Sequence, residues 1–133
     1  MENYTKTVLI EARTLDEMLT KDFLPAVNAY AGETAKNAAS KKAFMPGLSM
    51  DSEEALVSGL TKTYAALTDG LKELKALIEK AVSTGDTLKA AQICHLELLG
   101  KMDELAEAAN KAEALIPDTL LPYPTYDQLL FSL

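Results

Sequence analysis

The chain has 133 residues, of which 48% are apolar and 25% charged, with a formal net charge of −7. That length supports one domain with a modest core, and the composition excludes an intrinsically disordered polypeptide. The acidic balance and the single arginine, Arg13, argue against nucleic-acid and phosphate recognition, and no apolar run reaches the roughly 18 residues of a membrane span.

One cysteine, Cys94, leaves no disulfide within the chain and fits a reducing compartment. The opening MENYTKTVLIEART lacks the basic-then-apolar order of a signal peptide, so a cytoplasmic location is expected.

The first helix is expected to start near Thr5 or Thr7 and to run to about residue 43. Its apolar positions Val8, Ala12, Leu15, Leu19, Phe23, Val27 and Tyr30 slip from alternating steps of four and three to repeated steps of four, with Pro25 inside the slip. Proline removes one ladder bond and crowds the preceding turn. Asp22-Phe23-Leu24-Pro25-Ala26-Val27 contains no Gly, Ser or Asn to make a turn, so one helix kinked near Pro25 is expected rather than two. Lys36, Lys41 and Lys42 sit where they offset the negative end of the helix dipole.

Phe44-Met45-Pro46-Gly47-Leu48-Ser49-Met50 is the clearest break in the chain. It exposes Phe44, Met45, Leu48 and Met50, groups that serve at contacts as readily as they fold over a bundle end. Asp51 with Glu54 three residues on has the pattern of a reciprocal helix cap. The second helix, expected over 52–83, carries the most regular seam in the chain: Val57, Leu60, Tyr64, Leu67, Leu71, Leu74, Ile78, Ala81. Steps of three and four without a slip mean that this helix faces other helices along its length. Gly59 and Gly70 lie off the seam, and close approach of a neighbouring helix would account for them.

Gly85 suits a left-handed residue after a helix end, and Thr84 or Asp86 suits the next N-cap. The third helix, expected over 87–116 and stopped by Pro117, has a seam of Leu88, Ala91, His95, Leu98, Met102, Leu105, Ala109, Ala112 and Ile116. Glu97–Lys101 and Glu107–Lys111 are favourable pairs four apart. Residues 117–133 differ in kind. Pro117, Pro122 and Pro124 hold an extended path, a short helical turn is expected near its end, and Tyr123, Tyr126, Leu129, Leu130, Phe131 and Leu133 are too apolar to stay undocked. The expected fold is therefore all-α: an elongated up-down-up bundle of three long helices over 1–116, followed by a docking tail over 117–133. Helices of 30 to 38 residues would be about 45–55 Å long.

Candidate chemistry is sparse. His95, the only histidine, stands on the third seam and reads as a packed or near-core residue. A di-iron bundle would need Glu-x-x-His on two helices, but position 92 is Gln and no second His exists. Cys94 beside it points to another face, which leaves zinc binding and thiol catalysis unsupported. No catalytic, cofactor-binding or metal-binding residue is expected. The candidate interaction residues are Tyr123, Tyr126, Leu129, Leu130 and Phe131 of the tail, with Met45 and Met50 of the loop.

Ile10-Glu11-Ala12-Arg13-Thr14-Leu15, Asp22-Phe23-Leu24-Pro25-Ala26-Val27 with Tyr30, and the terminal Leu121-Pro122-Tyr123-Pro124-Thr125-Tyr126 with Leu129-Leu130-Phe131 carry a family likeness. The chain resembles the C-terminal region of type III glutamine synthetase, a large bacterial ligase that forms glutamine from glutamate and ammonium. In that family a catalytic region upstream handles ATP and divalent metal such as magnesium or manganese. None of its motifs occurs here, so no site residue carries over. The resemblance implies a non-catalytic domain that supports a homo-oligomer and partners the upstream region, with neither nucleic acid nor membrane as partner. The alternatives are a stand-alone helical adaptor and, more remotely, a small bundle enzyme or metal carrier.

Overall fold

The computed structural model describes residues 2–121. Among them there is no strand, and three long helices account for most of these described residues. The first runs through Glu2–Met18, Leu19–Phe23 and Leu24–Phe44 without interruption, the middle piece being a π turn. It begins before Thr5, and the Thr7 hydroxyl donates to the Asn3 carbonyl inside its opening turns.

The π turn answers a sequence problem. Each four-residue step overshoots a regular helical turn by about 40°, so the run Leu15, Leu19, Phe23, Val27 would drift off the core. Widening one turn, with the Leu24 N–H donating to the Leu19 carbonyl five residues back, absorbs the drift. Leu19, Phe23 and Val27 all become fully buried. Pro25 follows immediately, where its missing N–H falls beside a ladder already rearranged. The helix stays single, as expected, and the irregularity is a π turn ahead of the proline.

The second helix, Asp51–Ser83, buries Leu60, Leu67, Leu71, Leu74, Ile78 and Ala81, with Val57 and Tyr64 half-buried. The expected reciprocal cap is not made. The N-cap position belongs to Met50, and the Asp51 N–H instead donates to Ser49 Oγ at 3.4 Å. Asp51, Glu53 and Glu54 remain in the first turn, where negative charge suits the helix dipole. At the other end Gly85 takes φ +69°, and the Asp86 carboxylate accepts from the Leu88 and Lys89 N–H groups, so Asp86 is the cap.

The third helix consists of Thr87–Ile93, a second π turn at Cys94–Leu98, and Leu99–Glu113. It ends three residues before the expected Ile116. The Leu115 and Ile116 N–H groups reach back only three residues, to the Ala112 and Glu113 carbonyls, tightening the chain ahead of Pro117. Of the expected pairs, Glu107–Lys111 is present at 3.9 Å. Glu97 instead meets Lys80 at 3.2 Å, while Lys101 is held between Glu73 and Glu104. Glu97 lies inside the π turn, which takes it off the line to Lys101.

One core cluster joins all three helices. Asp16 meets Lys75, Gly59 lies against Leu115, Gly70 against Leu105, and Tyr4 against His95. No residue from 28 to 59 is buried. Beyond Val27 and Leu60 the first two helices form a thinner hairpin with half-buried Tyr30, Ala31 and Leu56.

Gly70 does mark a close approach, since a Cβ there would lie 2.6 Å from Leu105 Cδ2. Gly59 is different: its Cβ would make ordinary contact at 3.6 Å. At Gly32 and Gly100 nothing lies within 4 Å, so those helical glycines only cost backbone entropy. Gly32→Ala and Gly100→Ala are each expected to raise stability by about 0.5–1 kcal/mol in urea unfolding, whereas Gly70→Val lowers it.

Candidate functional surfaces

The two π turns decide which side chains face the core. In the third helix, Cys94 and Leu98 are fully buried, while His95 and Leu96 face outward, Leu96 at 73% exposure. This reverses the expected seam position of His95, and Leu88, also assigned to the seam, is exposed. The extra residue in the wide turn lets Cys94 and Leu98 share one face. Ala90 and Ala91 take the core positions one turn earlier.

His95 is paired rather than packed: its Nδ1 lies 3.3 Å from the Tyr4 hydroxyl, with the rings tilted at 6.4 Å. Burial pushes the Cys94 thiol above its ordinary pKa, which disfavours the reactive thiolate. Among the described residues no group of three His, Cys, Asp or Glu side chains is placed to hold a metal ion. No described helix is long and apolar enough to cross a membrane.

Two apolar surfaces of the described residues bear on the expected contacts. One is the hairpin tip, where Phe44 is 85% exposed and Met45 51%. Leu48 and Met50 are half-buried there, the Leu48 N–H bonding to the Met45 carbonyl and the Lys42 Nζ to the Leu48 carbonyl. Met45 is thus the more accessible of the two expected loop contacts. The expected tail contacts Tyr123, Tyr126, Leu129, Leu130 and Phe131 lie outside the described residues.

The second surface is an open groove of about 420 Å³ between the first and third helices, walled by Ile10, Leu15, Met18, Leu99, Met102 and Ala106. It escapes a reading of one seam per helix. The available signal is a second apolar stripe, Leu99–Met102–Ala106, beside the Leu98–Leu105–Ala109 seam.

The geometry supplies apolar contact surface around a helical core. Residues 1–42 match the family model for the glutamine synthetase C-terminal domain. Over all 133 residues the chain is 36% identical to a glutamine synthetase of Butyrivibrio fibrisolvens, covering 19% of that protein. The chain matches the C-terminal part of glutamine synthetases. A type-3 glutamine synthetase of Dictyostelium discoideum agrees at 23% identity, with 98% of the chain covering 18% of that protein. The chain therefore spans about a fifth of the length of these glutamine synthetases. No solved structure matches it.

Proposed function

We propose that the chain is a non-catalytic helical domain at the C-terminal end of a type III glutamine synthetase, serving its assembly and shape. The observation that carries this reading is the end-to-end match to only a fifth of a glutamine synthetase. In the parent enzyme, ATP and divalent metal such as magnesium or manganese are handled by the catalytic region upstream, which this domain contacts in a cytoplasmic homo-oligomer. The type III assignment draws on the name of the Dictyostelium relative.

Opposed residue order in the second-to-third helix contacts, Gly59–Leu115, Gly70–Leu105 and Lys80–Glu97, supports an up-down-up bundle as the scaffold. Such a bundle transmits position rigidly where its three helices share a packed core, between Val8 and Val27, Leu60 and Ala81, and Ala90 and Ile116. The test is glutamine formation from glutamate, ammonium and ATP by the purified chain. No turnover above a no-protein control is expected, and measurable glutamine would overturn the reading. The exposed Phe44 and Met45 tip favours a second reading, a stand-alone interaction module. A gene that starts at this segment with no catalytic region ahead of it would favour the module.

A further inference from the structure

The groove between the first and third helices and the hairpin tip are opposite in form and in charge. Among the described residues that line the groove, Glu11 and Asp103 are the charged ones, both acidic and both exposed. The tip, residues 40–50, projects Phe44 and Met45 beside exposed Lys41 and Lys42 and contains no acidic side chain. Lys42 Nζ donates to the Leu48 carbonyl at 2.9 Å, a neutral acceptor that leaves its charge uncompensated. Asp51, Glu53 and Glu54 open the second arm of the hairpin, so the first-helix side of the tip is the one that suits an acidic rim.

The tip cannot serve the groove of its own chain. From Thr14 to Phe44 the first helix advances about 45 Å without a break. The same spacing suits a pair of chains. Two copies laid antiparallel bring each tip to the other's groove, so a single two-fold axis satisfies both contacts and closes the association as a dimer.

We propose that the groove seats the Phe44–Met45 tip of a second copy of this chain. Phe44 and Met45 pack against Met18, Leu99 and Met102, whose thioethers adapt to an aromatic ring. Lys41 and Lys42 meet Glu11 and Asp103 at the wet rim, where opposite charge sets orientation more than strength. The inference concerns two copies of this chain alone and is independent of the glutamine synthetase reading.

The test is sedimentation equilibrium on the full 133-residue chain, up to about 1 mM so that a weak contact registers. A reversible dimer is expected. Phe44→Asp with Met45→Asp should raise its Kd at least about tenfold. Leu96→Asp, an equally exposed apolar site facing the second helix's side of the bundle, should leave it unchanged. Lys41→Glu with Lys42→Glu should also weaken the dimer, and adding Glu11→Lys with Asp103→Lys to the same chain should restore it. That rescue separates pairing from a mere change in the loop, and circular dichroism checks that every variant keeps its helices. A chain that stays monomeric, a Kd unmoved by the tip substitutions, or a charge reversal without rescue would each overturn the proposal. A Thr14→Cys reporter on the groove wall gives a second reading, since native Cys94 is fully buried. Its protection from maleimide should disappear on dilution, and protection that persists in the monomer would overturn the proposal in favour of a cover from the same chain.

Discussion

Deleting Glu107 is expected to abolish docking of the end of the third helix, whereas deleting Leu96 leaves the fold intact. Both residues are exposed, so side-chain burial does not separate them. Backbone register does. Glu107 sits in regular helix between Leu99 and Glu113, and its removal rotates everything that follows by about 100°. Ala109 and Ala112 leave the core, Asn110 and Glu113 take their places, and Lys111 moves to the half-buried place of Asn110. Lost burial at about 0.8 kcal/mol per methylene-sized group, together with shielded polar groups at about 1–3 kcal/mol each, removes several kcal/mol. That is a large part of a total of about 5–15 kcal/mol. Leu96 lies in the π turn, where the Leu99 N–H reaches back five residues to the Cys94 carbonyl. Removing one residue restores the four-residue bond of a regular helix and keeps the neighbouring seams in phase. Thermal melts should show the Leu96 deletion within about 5 °C of the parent and the Glu107 deletion lower by more than about 10 °C or no longer cooperative.

Phe23→Ala is expected to cost about 3–5 kcal/mol, the largest loss from any single truncation in this core. Phe23 heads the group of fully buried large side chains and closes the π turn that brings Leu19, Phe23 and Val27 onto one face. Truncation leaves a cavity where the widened backbone has limited freedom to collapse. Urea unfolding should show a lower midpoint with little change in slope. The comparison is Leu96→Ala, whose exposed side chain keeps the change within about 0.5 kcal/mol.

What the residues disclose follows from how regular they are. The second helix has an unbroken three-four repeat, and its Leu60-to-Ala81 core face was legible directly. Gly85 was legible too, because left-handed backbone favours glycine, whereas the N-cap was narrowed only to Thr84 or Asp86. The first helix announced its irregularity through the Leu19–Phe23–Val27 slip and Pro25, but a slip alone does not distinguish a kink from a π turn. In the third helix the same device had no proline beside it. Counting at a regular period therefore placed Ala91 correctly but put His95 and Leu88 on the core face, where Cys94 and Ala90 belong. The Asp51–Glu54 pattern failed because the helix began one residue early, with Asp51 already in its first turn. The groove was invisible because it belongs to two helices at once, each contributing a stripe that looks secondary by itself.

In the function proposed, this bundle supports the assembly of a glutamine synthetase without taking part in its chemistry. Sedimentation velocity on the complete glutamine synthetase that contains this segment, beside the same enzyme with the segment removed, tests that claim most directly. A smaller assembly for the shortened enzyme is the predicted result, while an assembly of unchanged size would contradict it.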